Sequence, residues 1–235
     1  MLHEPVLPQL RPPLVVVIED DPVARAYLVR LAERSGIECR AHASAEAFLA
    51  EYDQSRPTCI FLDLSLPGMD GVECLKRVLA FDPVPSVVIV TGTADVTNAV
   101  RLLRLGALHL LEKPVAEAEV GSILAAAIEQ ARQRHGEALT RRRVCARVAS
   151  LSPREREVFE RVVRGAMNKQ IAAELGIAAK TVEVHRANVM RKLDVGSLAQ
   201  LVRLAVDAGI GLDSGSAAAE RDPSAGSGGS ASAAI

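Results

Sequence analysis

Short apolar runs recur along residues 14–111, and segments of helical period lie between them. The clearest runs are "LVVVI" (14–18), "TCIFL" (58–62) and "SVVIV" (86–90); "IECRAH" (37–42) and "ALHLL" (107–111) are weaker. Runs that are apolar throughout suit strands covered on both faces, as in a parallel sheet. Start and stop signals bracket the helices. Pro22 follows Asp21 at a first helical position, Gly36 closes that segment, and Asp70 with Glu73 forms a capping pattern ahead of "GVECLKRVL". Five strands alternating with five helices predict a doubly wound α/β domain with a five-stranded parallel sheet. Such a sheet gathers ligands at the carboxyl ends of its strands, at a switch point in strand order.

After residue 130 the rhythm changes. "ARQRHGEALTRRRVCARVAS" (131–150) is charged and carries no strand signal, so it is read as the fifth helix continuing into a helical linker, 131–149. Only helices follow. Ser152-Pro153-Arg154-Glu155 is a capping box with proline at the first helical position, and Gly165 closes the helix it opens. Asn168 starts "KQIAAEL", Gly176 closes it, and "KTVEVHRANVMRKL" follows after a short turn. Ser197 to Gln200 is a second capping box, opening a fourth helix that runs to Gly209. A short helix, a glycine turn and a second helix make a helix-turn-helix arrangement inside an all-α four-helix domain. The domain reading is a 1–13 extension, an α/β domain over 14–130, the linker over 131–149, the helical domain over 150–210, and a Gly/Ser/Ala-rich tail over 211–235 expected to be disordered.

Charge follows the same division. Residues 1–139 carry 13 basic and 19 acidic side chains, a net −6, whereas residues 140–210 carry 14 against 7, a net +7. A near-neutral whole therefore hides an acidic half and a basic half, the asymmetry expected when one part seeks a polyanion. Cys39, Cys59, Cys74 and Cys145 are scattered, which supports neither a zinc site nor a disulfide framework and suits a reducing compartment. No segment approaches the roughly 18 apolar residues that a membrane helix needs, and a cytoplasmic protein without membrane contact is expected.

The acids at the strand ends carry the chemistry. Glu19 and Asp20 after the first strand can meet Asp63 after the third, and three converging carboxylates repel one another unless a cation lies among them. An all-oxygen set of this kind suits Mg²⁺. Thr91 ends the fourth strand and Lys113 follows the fifth, adding a hydroxyl and an ammonium to the same rim. A metal, a lysine and a hydroxyl around one aspartate can neutralise phosphoryl oxygens while that aspartate attacks phosphorus in line. Asp21 reads as a helix cap instead of a ligand.

"VVVIEDD" (15–21), "FLDLSLPGMDG" (61–71), "VIVTG" (88–92) and "LEKP" (111–114) closely resemble the receiver domain of bacterial two-component response regulators. "LSPREREV", "NKQIA" and "TVEVHRANVMRKL" resemble the LuxR-type DNA-binding domain, and the order matches the FixJ/NarL family, with "SAEAFLA" (44–50) leaning toward FixJ. The resemblance implies a flavodoxin/CheY-like receiver in which Asp63 accepts a phosphoryl group from a partner sensor histidine kinase. It implies Mg²⁺ held by Asp20, Asp63 and the backbone carbonyl of Ser65, with Glu19 acting through water. Thr91 and Lys113 would bind the phosphoryl group, Gly92 would leave its approach open, Lys113-Pro114 would be cis, and Ser65 and Thr93 would tune phosphate lifetime. One departure stands out: the switch position, usually Tyr or Phe, is Leu110, and its neighbour is His109 where the family often has Asp.

Along residues 180–193, Val182, His185, Val189 and Leu193 fall on one face by 3.6-residue spacing, and Lys180, Glu183, Val184, Ala187 and Arg191 on the other. The first face should pack and the second should enter the major groove. Glu183 can accept from a cytosine amino group, Val184 or Ala187 can touch a thymine methyl, and Lys169, Arg186, Arg191 and Lys192 suit phosphates. Thr181 completes the set of expected DNA contacts. Ala178-Ala179 stand where the family commonly has a Ser-Pro cap, which removes a cap worth about 1 kcal/mol.

A domain this small neutralises few phosphates, so double-stranded DNA binding should need two copies on a pseudo-palindromic site. The resemblance implies a homodimer formed on phosphorylation, through the segment at about 95–105 and the fifth strand or by release of an occluded DNA helix, with contact to RNA polymerase. The whole is read as a transcription regulator that catalyses no reaction beyond its own phosphorylation and dephosphorylation. Two alternatives remain at this point: a regulator whose DNA binding ignores phosphate, suggested by Leu110, and a Mg²⁺-dependent aspartyl-phosphate hydrolase. Ser65 stands where that hydrolase would need a second Asp as general acid.

Overall fold

The computed structural model describes residues 11–92 and 96–210, and the chain divides into two compact units, Met1–Thr140 and Arg141–Ile235. Most of the 1–13 extension, Thr93 and the 211–235 tail lie outside the described residues.

In the first unit β1 (Leu14–Ile18), β2 (Glu38–His42), β3 (Thr58–Asp63), β4 (Ser86–Thr91) and β5 (His109–Glu112) form one parallel sheet in the order β2-β1-β3-β4-β5. The order reverses at the β1/β3 boundary, so the loops after these two strands face a common crevice. Helices α1 (Pro22–Glu33), α2 (Ala45–Glu51), α3 (Gly71–Leu79), α4 (Val96–Leu105) and α5 (Glu117–Ala149) connect and follow the strands. Alternation along the strands builds two cores. Leu14, Val16, Ile18, Ile60, Leu62, Val87 and Ile89 pack with α2, α3 and Leu102, whereas Val15, Val17, Phe61, Val88, Val90 and Leu111 pack with α1 and the start of α5. The outer strand β2 is mostly exposed, which explains its weak apolar signal.

Three strands run one residue past their apolar runs, at Asp63, Thr91 and Glu112, and the first two of these are the expected site residues. Asp63 and Thr91 are the last residues of β3 and β4, so ladder hydrogen bonding fixes their backbones. The caps fall where the sequence puts them: Asp21 Oδ1 accepts the Ala24 N–H at 2.7 Å and Asp70 Oδ1 the Glu73 N–H at 2.8 Å. No described helix is long and apolar enough to cross a membrane.

Helix α5 continues without a break through the segment expected as a linker and ends inside the second unit, where Val144 and Val148 join its core. That core draws on α6 (Pro153–Val163), α7 (Asn168–Leu175), α8 (Ala179–Leu193) and α9 (Leu198–Asp207) through Phe159, Ile171, Val182, Val189, Leu193 and Leu201. Gly176 ends α7 at φ 63°, a left-handed conformation that costs glycine little. Ala178 precedes α8 without a side-chain cap, as the Ala-Ala pair foretold.

One buried carboxylate ties α6 to α8. Glu155, with its side chain 7% exposed, accepts from the Ser152 N–H at 2.8 Å and from the Lys192 ammonium at 2.6 Å. The lysine first, and the Ser152 N–H after it, hold this carboxyl at about 2, below its ordinary 4.5. Because the folded value is depressed, the stabilisation is complete above about 4.5 and is lost as pH falls toward 2. Glu155→Gln should therefore destabilise the second unit by about 2 kcal/mol at neutral pH and abolish that acid-dependent loss. Hydrogen exchange of α6 and α8 amides, compared at neutral and acid pH, checks both.

Candidate functional site

The acids meet at the switch point. Asp63 is 3% exposed and Glu19 1%, Asp20 beside them is exposed, and one carboxylate oxygen from each lies within 4.8 Å of the other two. Lys113 reaches them from the loop after β5. Its ammonium stands 2.7 Å from Asp63 Oδ2 and straddles Glu19, at 2.9 Å from Oε1 and 2.7 Å from Oε2. The second oxygen of Asp63 accepts the Ser65 N–H at 3.0 Å. Lys113 is placed by its own backbone, since its N–H donates to the Thr91 carbonyl at 2.8 Å, and the Lys113-Pro114 peptide is cis.

These contacts set the charges. Burial raises the Asp63 carboxyl, but the Lys113 ammonium and the Ser65 N–H outweigh it and hold Asp63 below the usual carboxylate range. Glu19 goes the other way, because burial and the neighbouring Asp63 charge exceed what Lys113 returns. Burial lowers Lys113, and its bonds to the two acids more than reverse that. Of the two buried acids, Asp63 is thus the one whose ionised form its surroundings favour more strongly. Two buried carboxylates and one exposed one against a single ammonium leave negative charge in an all-oxygen set, which fits a hard cation such as Mg²⁺.

The loop after Asp63 is packed without slack. A Cβ at Gly71 would stand 2.3 Å from the Asp63 carbonyl oxygen and 2.5 Å from the Leu64 Cα, and the Gly71 N–H donates to the Leu64 carbonyl at 3.0 Å. Gly68 has φ 78°, and Glu46 from α2 accepts the adjacent Met69 N–H at 2.7 Å. Sequence reasoning missed Glu46 because a first-turn glutamate already has a reason to be there, in the helix dipole. It missed Arg25 as well, whose guanidinium reaches back to the loop that bears Glu19 and Asp20.

Thr91 is 4% exposed and lies on the sheet face shared by Val87 and Ile89. Leu110 pairs with Ile89 across the ladder and packs, half-buried, against that same core, while His109 is exposed. The position expected to act as the switch therefore holds an aliphatic side chain packed against that core.

In the second unit, the packed face of α8 is as the spacing required, with Val182, Val189 and Leu193 buried and His185 half-buried. Lys169 on α7 and Lys180, Thr181, Glu183, Val184, Ala187 and Arg191 on α8 are exposed. Lys180 and Glu183 form a 2.8 Å ion pair. Arg186 is half-buried and donates to Asn168 Oδ1 at 2.6 Å, and the Lys192 ammonium is taken by Glu155.

An acidic pocket with a lysine at the strand ends of one unit and a helix-turn-helix in the other are the architecture of a receiver joined to a DNA-binding module. Residues 15–125 match the response regulator receiver domain family, and residues 149–205 match the bacterial regulatory proteins of the luxR family. The transcriptional regulatory protein FixJ of Bradyrhizobium diazoefficiens is 40% identical over 196 residues, covering 83% of this chain and 96% of that protein. The response regulator protein TodT of Pseudomonas putida is 32% identical over 194 residues, covering 83% and 86%. The solved structure of the response regulator StyR superposes with a TM-score of 0.68 at 36% identity, covering 83% of this chain and 98% of that one. The chain belongs to the FixJ/NarL-type response regulators, two-component proteins with a receiver and a LuxR-type DNA-binding domain.

Gly71→Ala should cost the first unit about 1–3 kcal/mol, the usual penalty of overpacking, because the Asp63 and Leu64 backbone must move. Gly92→Ala, whose Cβ would meet nothing within 4 Å, should change stability by less than about 0.5 kcal/mol. Urea unfolding of the two variants makes the comparison.

Proposed function

We propose that Asp63 accepts a phosphoryl group from a sensor histidine kinase, and that this modification controls dimerisation and DNA binding. The observation that carries the reading is the buried Asp63 carboxylate, kept ionised by Lys113 at 2.7 Å and Ser65 at 3.0 Å, with two further acids beside it. One Asp63 oxygen attacks phosphorus, the new O–P bond forms as the N–P bond to the kinase imidazole breaks, and the histidine leaves with the bonding electrons. Lys113 and the Thr91 hydroxyl bind the phosphoryl oxygens and take up their charge. Asp20, Asp63 and the Ser65 carbonyl would hold Mg²⁺, with Glu19 acting through water; bound there, the ion would supply further charge neutralisation. The roles of Ser65 and Thr93 in phosphate lifetime belong to the same proposal, as does a cytoplasmic location.

On the output side, we propose a receiver over 14–130, a helical connection over 131–149 and a DNA-binding domain over 150–210. Phosphorylation favours a homodimer through α4 and β5; exposed Val96, Val100 and Leu103 on α4 support that surface. The dimer reads a pseudo-palindromic site. Glu183, Val184 and Ala187 face base edges, Lys169, Lys180, Thr181, Arg186 and Arg191 face the phosphates, and the bound dimer meets RNA polymerase. A second reading, DNA binding indifferent to phosphate, draws its support from Leu110, which offers no ring to reorient.

Wild type and Asp63→Asn incubated with Mg²⁺ and acetyl phosphate test the first reading by intact mass and sedimentation. The wild type should gain one phosphoryl group and dimerise, and the variant should do neither. No gain in the wild type, even with a histidine kinase supplied, would overturn it. Gain without a change in assembly would remove the dimer step. Arg191→Ala should lower the slope of log K against log salt by about 0.9 per subunit, the share of one phosphate contact; DNA binding measured over a range of salt reads that slope.

A further inference from the structure

The loop at residues 19–21 carries two of the three acids, and the partners that fix it are unequal. Glu19 is held at both ends, by Lys113 at its side chain and by its N–H donating to the His42 carbonyl at 3.1 Å. Asp21 is committed to capping α1. Between them, the exposed carboxylate of Asp20 has no side-chain hydrogen bond or ion pair among the described residues, so its direction rests on its backbone alone.

That backbone is held by one group. Arg25, one turn into α1, places its Nη1 2.7 Å from the Glu19 carbonyl and 2.9 Å from the Asp20 carbonyl. A guanidinium nitrogen carries two N–H bonds, enough to donate to both oxygens, and charge-assisted donors make the stronger hydrogen bonds. Two consecutive peptide planes are thereby tied back to α1, and Asp20 lies between them. The Arg25 N–H in turn donates to the Asp21 carbonyl at 2.9 Å, so the helix start and the clamp are one unit.

We infer that Arg25 is a positioning residue for the metal site: its guanidinium holds the two peptide planes from which Glu19 and Asp20 project and so sets the affinity of the pocket for Mg²⁺. The inference rests on the proposed reading of the pocket as a Mg²⁺ site and adds a residue that touches neither metal nor phosphate. Its sign is opposite to simple electrostatics. A cation behind three carboxylates repels an incoming cation, so removing its charge alone would tighten Mg²⁺ binding. Losing a partner that orients a ligand should weaken binding instead, by roughly 10-fold or more.

The test is a Mg²⁺ titration of the full chain, without phosphate, followed by backbone-amide NMR shifts near residues 19–21 and 63–65. Wild type, Arg25→Gln, Arg25→Lys and Asp20→Asn are compared. Arg25→Gln should raise the Mg²⁺ Kd about 10-fold, Arg25→Lys should fall between it and the wild type, and Asp20→Asn should lose most binding. An unchanged or lower Kd in Arg25→Gln, with the wild type saturating normally, would overturn the inference and leave the Mg²⁺ reading intact. Absence of binding in the wild type would overturn both. Should Arg25→Gln fail to give a folded spectrum, Arg25→Lys decides by the same criterion, since it keeps the charge and alters the clamp.

Discussion

Glu19 and Asp63, both nearly inaccessible to water, share the single ammonium of Lys113 across a gap where the order of the strands reverses. Removing either acid's partner would leave a buried charge uncompensated, which is among the costliest defects a fold can carry. The surrounding architecture keeps that arrangement in register. Ladder hydrogen bonds reach as far as Asp63 and Thr91, the Lys113 N–H is tied to the Thr91 carbonyl, and Gly71 lets the next helix start directly against the Asp63 backbone. The pocket is a property of strand ends, and its geometry is as stiff as the sheet.

That stiffness explains how a chemical change could be passed outward. Thr91 and Leu110 share one face of the sheet with the core that covers α3 and α4. A hydroxyl drawn toward a phosphoryl group at Asp63 would vacate space on that face. The side chain available to use that space is Leu110, already half-buried there. A close-packed layer answers by changing between discrete packings, so on the proposed reading a leucine there would respond with a smaller displaced volume than a ring.

The buried strands and the acids at their ends were legible in the sequence because both depend on local signals: apolar runs, caps and turn residues. The five-stranded parallel sheet and the helix-turn-helix could be read from rhythm alone, and the packed face of α8 from 3.6-residue spacing. What stayed hidden depends on which partner a polar side chain finds, far along the chain for Glu46 and Lys192 and just ahead of its own helix for Arg25. Glu46 on the Met69 N–H, Arg25 on two carbonyls, and Lys192 on Glu155 each look like ordinary helix-surface charges until the partner is known. Lys192 is instructive, since the sequence offered it to DNA and the fold gives its ammonium to a buried carboxylate. The continuation of α5 through 131–149 was legible as helix, but a charged helical stretch carries no sign that its last turns, at Val144 and Val148, pack into a core.

The central claim is that charge chemistry at Asp63 governs what α8 does with DNA. The most direct measurement is the affinity of the full chain for a duplex selected by the protein itself from a random pool, read by fluorescence anisotropy before and after phosphorylation. The account predicts that binding tightens on phosphorylation, becomes steeper with protein concentration as a dimer forms, and stays at its starting value in Asp63→Asn. Equal affinity for the phosphorylated and unphosphorylated chain would contradict it and would make the receiver a scaffold for DNA binding instead of its switch.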